Sequence, residues 1–479
     1  MGAEKGGFQM KHKKRLWASL VLLLFVLASC SETPDAVEYD DPSLPVDGEG
    51  DINNGTVPLT QEHFLQDLDY MLYVLENNFA LFDVAYWARD VDIPAIVNNA
   101  YDDILNNPEM NVDEFYDSLF LHFHPLWPIG HFDIITPHRH NRLVRYFDPS
   151  RGLFSGSAAA RLTYPHVLDF YEPRHPDGDI YDIFDDTPNV TTEIVEEGRI
   201  ARLTVNSFVP TSVLEEREQI RSFFRDIHDY EHLIIDLRAN RGGTPSYFYN
   251  DIMGLLLDEV VILKSYAFFV ADGIYAEAYV SPNYGLWWQL SGAIPDFEEL
   301  CSISEMLSEN ARLQFNHRDA ERLDYGFPVH TTIRARRQLL FGTQPAFDGE
   351  IWLLTGPLMT SAAQLAAWAS KESGFATLVG EITGGVYGGP RTLAALPNSG
   401  ILFLFDVFYV TDVHGRPLEA GTIPHHFGQD GMDALETVLA LIAEGRKDGT
   451  GGAMTGFYRG TDPVARGATS ETNERNRRL

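Results

Sequence analysis

Between residues 59 and 121, apolar side chains recur at helical spacing. Phe64, Leu65, Leu68, Met71, Leu72, Val74 and Leu75 form the first run, and Ile96, Val112, Phe115, Leu119 and Phe120 continue it. Steps of three and four residues line one face of a helix, so a small helical N-terminal domain is predicted over 59–131. Thr60 stands where that first helix would open. From 132 to 193 the period is lost, and aromatic, Pro, His and Asp residues predict short strands and loops. This stretch is short for a peptide-binding PDZ module and lacks its Gly-Leu-rich loop. From 194 to 445 short apolar runs alternate with amphipathic ones. Strands are predicted at 199–205, 233–237, 351–355, 376–379 and 401–410, and helices at 213–228, 244–257, 361–372 and 433–443. Strands that alternate with helices predict an α/β core in which helices cover a sheet. Residues 266–324 read as an insertion in that core, a lid or substrate rim.

The ends change the picture. Lys11, Lys13, Lys14 and Arg15 precede an apolar run, Leu16 to Leu27, which is followed by Ala28-Ser29-Cys30. The run is too short to cross a bilayer and predicts a secretory signal over 1–29. Leu27-Ala28-Ser29-Cys30 resembles a bacterial lipobox, which implies lipid attachment at Cys30 and anchoring to the outer membrane of a bacterial cell envelope. Acid, Pro and Gly then dominate 30–58, predicting a flexible tether. The tail, 446–479, has few apolar residues and is expected to be disordered. The net charge of −33 opposes binding to nucleic acid or anionic lipid. Cys30 and Cys301 are the only cysteines, so the chain past the anchor has no disulfide framework. Cys301 lacks any local motif and reads as a small buried hydrophobe.

Three segments carry candidate chemistry. Ser361 follows a buried strand and a Gly-Pro turn and opens an Ala-rich helix. Unpaired amides there could stabilise an oxyanion beside a nucleophile, and a plain helix cap fits the same position. Asp236-Leu-Arg-Ala-Asn-Arg-Gly-Gly243 ends a second strand, and its glycines allow close backbone approach. Gly380-Glu-Ile-Thr-Gly-Gly385 ends a third, so one cleft at one sheet edge is expected.

These motifs resemble the C-terminal-processing (tail-specific) and tricorn-core serine peptidases. Asp236–Gly243 is similar to their strand-end motif, and Thr360-Ser-Ala-Ala-Gln364 with Gly380–Gly385 to their nucleophile helix and next strand. Arg202–Phe208 and Leu418-Glu-Ala-Gly-Thr-Ile-Pro424 match the flanking segments. The resemblance covers about 200–445 and implies a ClpP/crotonase-like fold and a serine endopeptidase acting on peptide or protein without a cofactor. One branch of the family uses a lysine 25 residues after the serine, where this chain has Val386. The other takes a histidine from upstream, and Pro128-Ile-Gly-His-Phe132 resembles that segment. It implies His131 as the base of Ser361, with Glu419 orienting it through an intermediate side chain. The tricorn-like sites have a serine before the histidine, where this chain has Gly130. The family's acid after the late Pro is replaced by His425. The oxyanion donors implied are the amides of Gly243 and Ala362, with Gly242 shaping the turn.

Other readings compete. The departures at Gly130 and His425 fit a non-catalytic peptide- or ligand-binding protein on the same fold. His122, His124, His138 and His140 could gather zinc, but no His-Glu-x-x-His helix is present and no metal is expected. Tyr247, Phe248, Trp287 and Trp288 could line a groove, and core packing explains them equally well.

Overall fold

The computed structural model describes residues 58–146, 160–175, 188–270, 275, 293–310, 313, 315–342, 347–387, 389 and 391–445. The signal segment, Cys30, the tether before Pro58, Trp287, Trp288 and the tail after Gly445 lie outside the described residues. No described helix is long and apolar enough to cross a membrane.

The N-terminal region is helical, as its periodicity predicts. It comprises α1 (Gln61–Asn78), α2 (Phe82–Arg89), α3 (Ile93–Asn106) and α4 (Val112–Phe123). Thr60 precedes α1, and its amide donates to His63 Nδ1 at 3.0 Å. Phe64, Leu68, Met71 and Leu75 are fully buried on one face of α1. Asn111 caps α4, accepting from the amides of Asp113 and Glu114.

The core is α/β. Its central sheet runs in the order β14 (His426–Phe427), β10 (Thr377–Gly380), β9 (Glu350–Thr355), β4 (His232–Asp236), β3 (Ile200–Val205), β2 (Val190–Glu196). All neighbours are parallel except β2 with β3. Parallel strands covered on both faces need near-continuous apolar runs, which β4 and β9 have. The covering helices include α5 (Val213–Asp226), α6 (Ala362–Glu372) and α7 (Ala434–Ala443). A second sheet pairs β1 (Asp133–Ile134) with β12 (Leu402–Asp406) and β12 with β11 (Arg391–Ala395), all antiparallel. A third holds β13 (Tyr409–Thr411), β5 (Val261–Phe269), β8 (Tyr325–Ile333) and β6 (Ala293–Pro295), with β7 (Cys301–Ser302) also on β8.

The structure departs from the sequence expectations at four places. The single strand expected over 401–410 is two, β12 and β13, because Val407–Phe408 carries the chain from one sheet to another. The helix expected over 244–257 is a short helix, a π-turn at Tyr249–Met253 and a last turn at Gly254–Leu256. The stretch 132–193 holds helices at Pro137–Tyr146 and Pro165–Tyr171 where strands were expected, and β2 begins inside it. In the insertion, β5 starts before residue 266 and pairs along its whole length with β8.

Candidate active site

Sheet register brings the imidazole into place. Asp133 pairs with Leu404 on antiparallel strands, so two residues further along His131 comes opposite Asp406. Asp406 N donates to Gly130 O at 2.8 Å, which ties the turn down. Gly130 and His131 both take left-handed backbone, φ +52° and +50°. Such strain in a non-glycine residue persists only where the surroundings over-determine it. Ile129 and Phe132, both buried, anchor the turn on either side.

Ser361 arrives by a different route. β9 ends at Thr355, and the chain turns through Gly356-Pro357 into α6. The Ser361 amide donates to Gly385 O at 2.9 Å, and Thr360 bridges Gly385 as in a parallel strand. Ser361 itself has φ +55° and ψ −122°, and its side chain makes no capping hydrogen bond. Between cap and exposed hydroxyl, the geometry is that of a strained strand-to-helix elbow that turns Oγ away from its own helix.

That hydroxyl meets the imidazole. His131 Nε2 lies 3.0 Å from Ser361 Oγ, and His131 Nδ1 lies 2.8 Å from Asp406 Oδ2. Asp406 is fully buried. An ionised carboxylate only accepts, so Nδ1–H donates to Asp406 and Nε2 accepts the serine proton.

Glu419 does not touch the ring. Its Oε1 accepts from Gly130 N at 3.1 Å and its Oε2 from Tyr387 N at 2.6 Å. It therefore holds the backbone of the histidine turn to the turn that pins Ser361. Burial and then the nearby Asp406 charge push its carboxyl up to about 8, against the pull of those two amides. The expected link from Glu419 to the ring through an intermediate side chain is absent among the described residues, because Gly130 has no side chain and Asp406 occupies Nδ1.

The glycine pair sits against the elbow. A Cβ on Gly242 would lie 2.7 Å from Thr360 O and 2.9 Å from Ser361 Cβ. The Gly242 amide donates to Asn240 Oδ1 at 2.8 Å, which leaves it a shaping role. Asn240, fully buried, also donates to Val205 O at 3.1 Å. Among the described residues neither the Gly243 nor the Ala362 amide donates to a protein acceptor.

Sequence reasoning passed over Asp406 and Asn240. Asp406 had a signal: it is the acid that ends the apolar run Ile401–Phe405, and a buried acid requires a partner. Val386, at the family's lysine position, is buried with φ +59°. Lys371 instead donates to Ile423 O at 2.8 Å. His425 Nδ1 accepts from Leu378 N, a sheet-edge role. The remaining histidines disperse: His122 pairs with Asp103, and His140 meets His175 and Leu162 O. No group of three or more metal-ligating side chains occurs among the described residues. Tyr247 and Phe248 are buried, and Tyr247 donates to Glu216 at 2.6 Å. Cys301 is half-buried on β7, where burial and then Glu305 raise its thiol pKa.

Comparison with known proteins adds the family. A candidate peptidase from Parabacteroides merdae is 17% identical, covering 80% of this chain and 97% of its own, with a TM-score of 0.45. Mature CPAF complexed with lactacystin is 12% identical over 80% and 99%, with a TM-score of 0.49. The photosystem II D1 C-terminal processing protease is 13% identical over 77% and 92%, with a TM-score of 0.35. Residues 199–426, which hold Ser361, both glycine turns and Asp406, match Peptidase family S41. Residues 199–426 of the chain are therefore similar to peptidase family S41, a family of serine-peptidase hydrolases.

Proposed function

We propose that the protein hydrolyses internal peptide bonds through an acyl-enzyme on Ser361, with His131 as general base and Asp406 orienting it. The observation that carries this reading is the continuous line Asp406–His131–Ser361, with contacts of 2.8 and 3.0 Å. Serine needs a base whose pKa lies near working pH, and a positioned imidazole is the usual one. Nε2 takes the Oγ proton as Oγ bonds to the substrate carbonyl carbon. The oxyanion meets the Gly243 and Ala362 amides. The C–N bond then breaks, and the imidazolium returns its proton to the leaving amine. Water, deprotonated by the same Nε2, bonds to the acyl carbon; the C–Oγ bond breaks, the imidazolium returns its proton to Oγ, and the acid product leaves. Asp406 accepts from Nδ1–H and stabilises the imidazolium. The valine at position 386 argues against a Ser–Lys mechanism.

The leader, with its lipobox-like cysteine, supports placing this activity at a bacterial outer membrane through lipid on Cys30. The test is a fluorophosphonate probe followed by peptide mapping. Labelling should fall on Ser361, and Ser361→Ala should lose both labelling and peptide cleavage while keeping its fold. Cleavage retained in that variant, or a folded wild-type chain that neither labels nor cleaves, rejects the proposal. The second outcome leaves a ligand-binding protein on a peptidase fold.

A further inference from the structure

Glu216 is a buried carboxylate with no part in the chemistry above. It lies near the start of α5 and is 5% exposed. Its Oε1 accepts from Thr211 N at 2.8 Å, Thr211 Oγ1 at 2.9 Å and Ser212 N at 3.4 Å. Its Oε2 accepts from Asn189 Nδ2 at 2.9 Å and Tyr247 Oη at 2.6 Å. The neighbouring Arg217 pairs with Asp251 at 2.8 Å instead. Burial pushes the Glu216 carboxyl up, but the bonds from Tyr247, Asn189 and Thr211 outweigh it and hold the pKa below the usual range. An ionised carboxylate only accepts, so it meets all these donors where an amide side chain would turn N–H groups against some of them.

The donors bracket Phe208. Asn189 Nδ2 also donates to Ser207 O at 3.1 Å, before Phe208, while Thr211 and Ser212 follow it. The Phe208 ring stacks on Tyr247, with centroids 5.6 Å apart. Phe208 in turn shapes the glycine pair. Its amide donates to Gly242 O at 2.9 Å, and its carbonyl accepts from Thr244 N at 3.0 Å. Both bonds belong to a parallel bridge between Phe208 and Gly243. In such a bridge the partner's flanking groups face Phe208, so the Gly243 amide itself faces away from it. The fit is close on both sides. A Cβ on Gly243 would lie 2.5 Å from Phe208 C, and one on Gly242 would lie 2.9 Å from Ser361 Cβ and 3.0 Å from Ala362 N. A shift of the Phe208 backbone therefore turns the Gly243 amide relative to Ser361.

We propose that Glu216 is a positioning residue for the oxyanion hole: it clamps residues 207–212 and, through Phe208, aims the Gly243 amide at the developing charge. The inference rests on reading Gly243 as an oxyanion donor.

The full-length chain and its Glu216→Gln variant are compared on a quenched fluorogenic peptide selected on the wild type. A trifluoromethyl ketone of the same peptide, whose adduct on Ser361 carries an oxyanion, is titrated as inhibitor. In Glu216→Gln the new amide confronts the Asn189 amide donor to donor, and the clamp loosens. Losing an oxyanion donor outright costs about 10²–10³ in turnover, so a misaimed one should lower kcat about 10–100-fold. The inhibition constant should rise by a similar factor, while KM stays within about twofold, because the ground-state peptide carries no oxyanion. The acid limb of the kcat/KM profile should not move, because His131 and Asp406 are untouched. All values are corrected for folded fraction. Tyr247→Phe keeps the ring on Phe208 and removes one donor, so it should show the same pattern at about 3–10-fold. It decides the matter where Glu216→Gln does not fold. A lower melting temperature with kcat and inhibition constant unchanged makes Glu216 a fold stabiliser only and overturns the proposal, as does a shifted acid limb. A wild-type chain that neither labels with fluorophosphonate nor cleaves peptide removes the clamp's role together with the reading it rests on. Unchanged variants of a cleaving wild type remove the clamp alone.

Discussion

Replacing Asp406 by Asn separates two arrangements that the family resemblance leaves confounded. Asp406 is fully buried, with Oδ2 2.8 Å from His131 Nδ1. Its backbone amide, not its side chain, ties down Gly130, so the turn should survive the substitution. As the serine proton transfers, the ring becomes cationic next to that carboxylate. At an effective dielectric near 20, charges about 3 Å apart attract by about 6 kcal/mol. Asn abolishes this attraction, and its NH₂ can also hold the ring in the wrong tautomer. A drop of about 10³–10⁴ in turnover is expected, equivalent to about 4–5.5 kcal/mol of transition-state stabilisation. Glu419→Gln is the control. One of its two backbone contacts would face a second donor, which costs about 1–3 kcal/mol of stability. Because Glu419 does not touch the ring, turnover of the folded fraction should fall by no more than about tenfold, or about 1.4 kcal/mol. Peptide hydrolysis and the rate of fluorophosphonate labelling, each corrected for folded fraction by circular dichroism, measure both variants. If Asp406→Asn stays within about tenfold of wild type while Glu419→Gln loses about a thousandfold, Glu419 is the orienting residue and the reasoning fails.

Three further outcomes follow from the same geometry. Gly130→Ser, which restores the family's serine, should not raise activity and should lower the melting temperature. A Cβ there would lie 2.7 Å from both Leu81 Cδ1 and Phe79 Cε2, at φ +52°. Gly385→Ala should fail to accumulate as folded protein in size-exclusion chromatography, because its Cβ would sit 1.9 Å from the Glu419 carbonyl oxygen. Asp67 is wholly buried under the Asn398–Ser399 turn, and burial raises its carboxyl to about 6. The folded chain therefore holds that proton at pH values where the unfolded chain has released it. This group's contribution to stability is greatest in acid and falls as pH rises from about 4 to about 6, by up to about 3 kcal/mol. Thermal melts across that window should slope less in Asp67→Asn than in wild type, and equal slopes refute the assignment.

Much of this was legible in the chain because it is local. Helical periodicity in α1 to α4, the apolar runs of β4 and β9, and glycines at strand ends are properties of short windows. Ser361 was visible as a helix opening, although its local sequence alone favours a plain cap. What separates it from a capping serine is the φ of +55° and the lack of a side-chain capping hydrogen bond, beside the Thr360–Gly385 bridge to a distant segment. Val386 was legible as the absence of a lysine.

The sequence by itself determined the α/β class, the helical N-terminal region, and the set of segments from which a nucleophile, a base and oxyanion donors could come. Only the tertiary structure decided which acid serves the imidazole. Asp406 lies 275 positions from His131 in the chain, and sheet pairing between β1 and β12 is what sets them opposite. Glu419 sits within the motif and Asp406 outside it, so motif reading favoured the first. Strand register is a non-local quantity, fixed by the packing of whole faces, and no window of residues contains it.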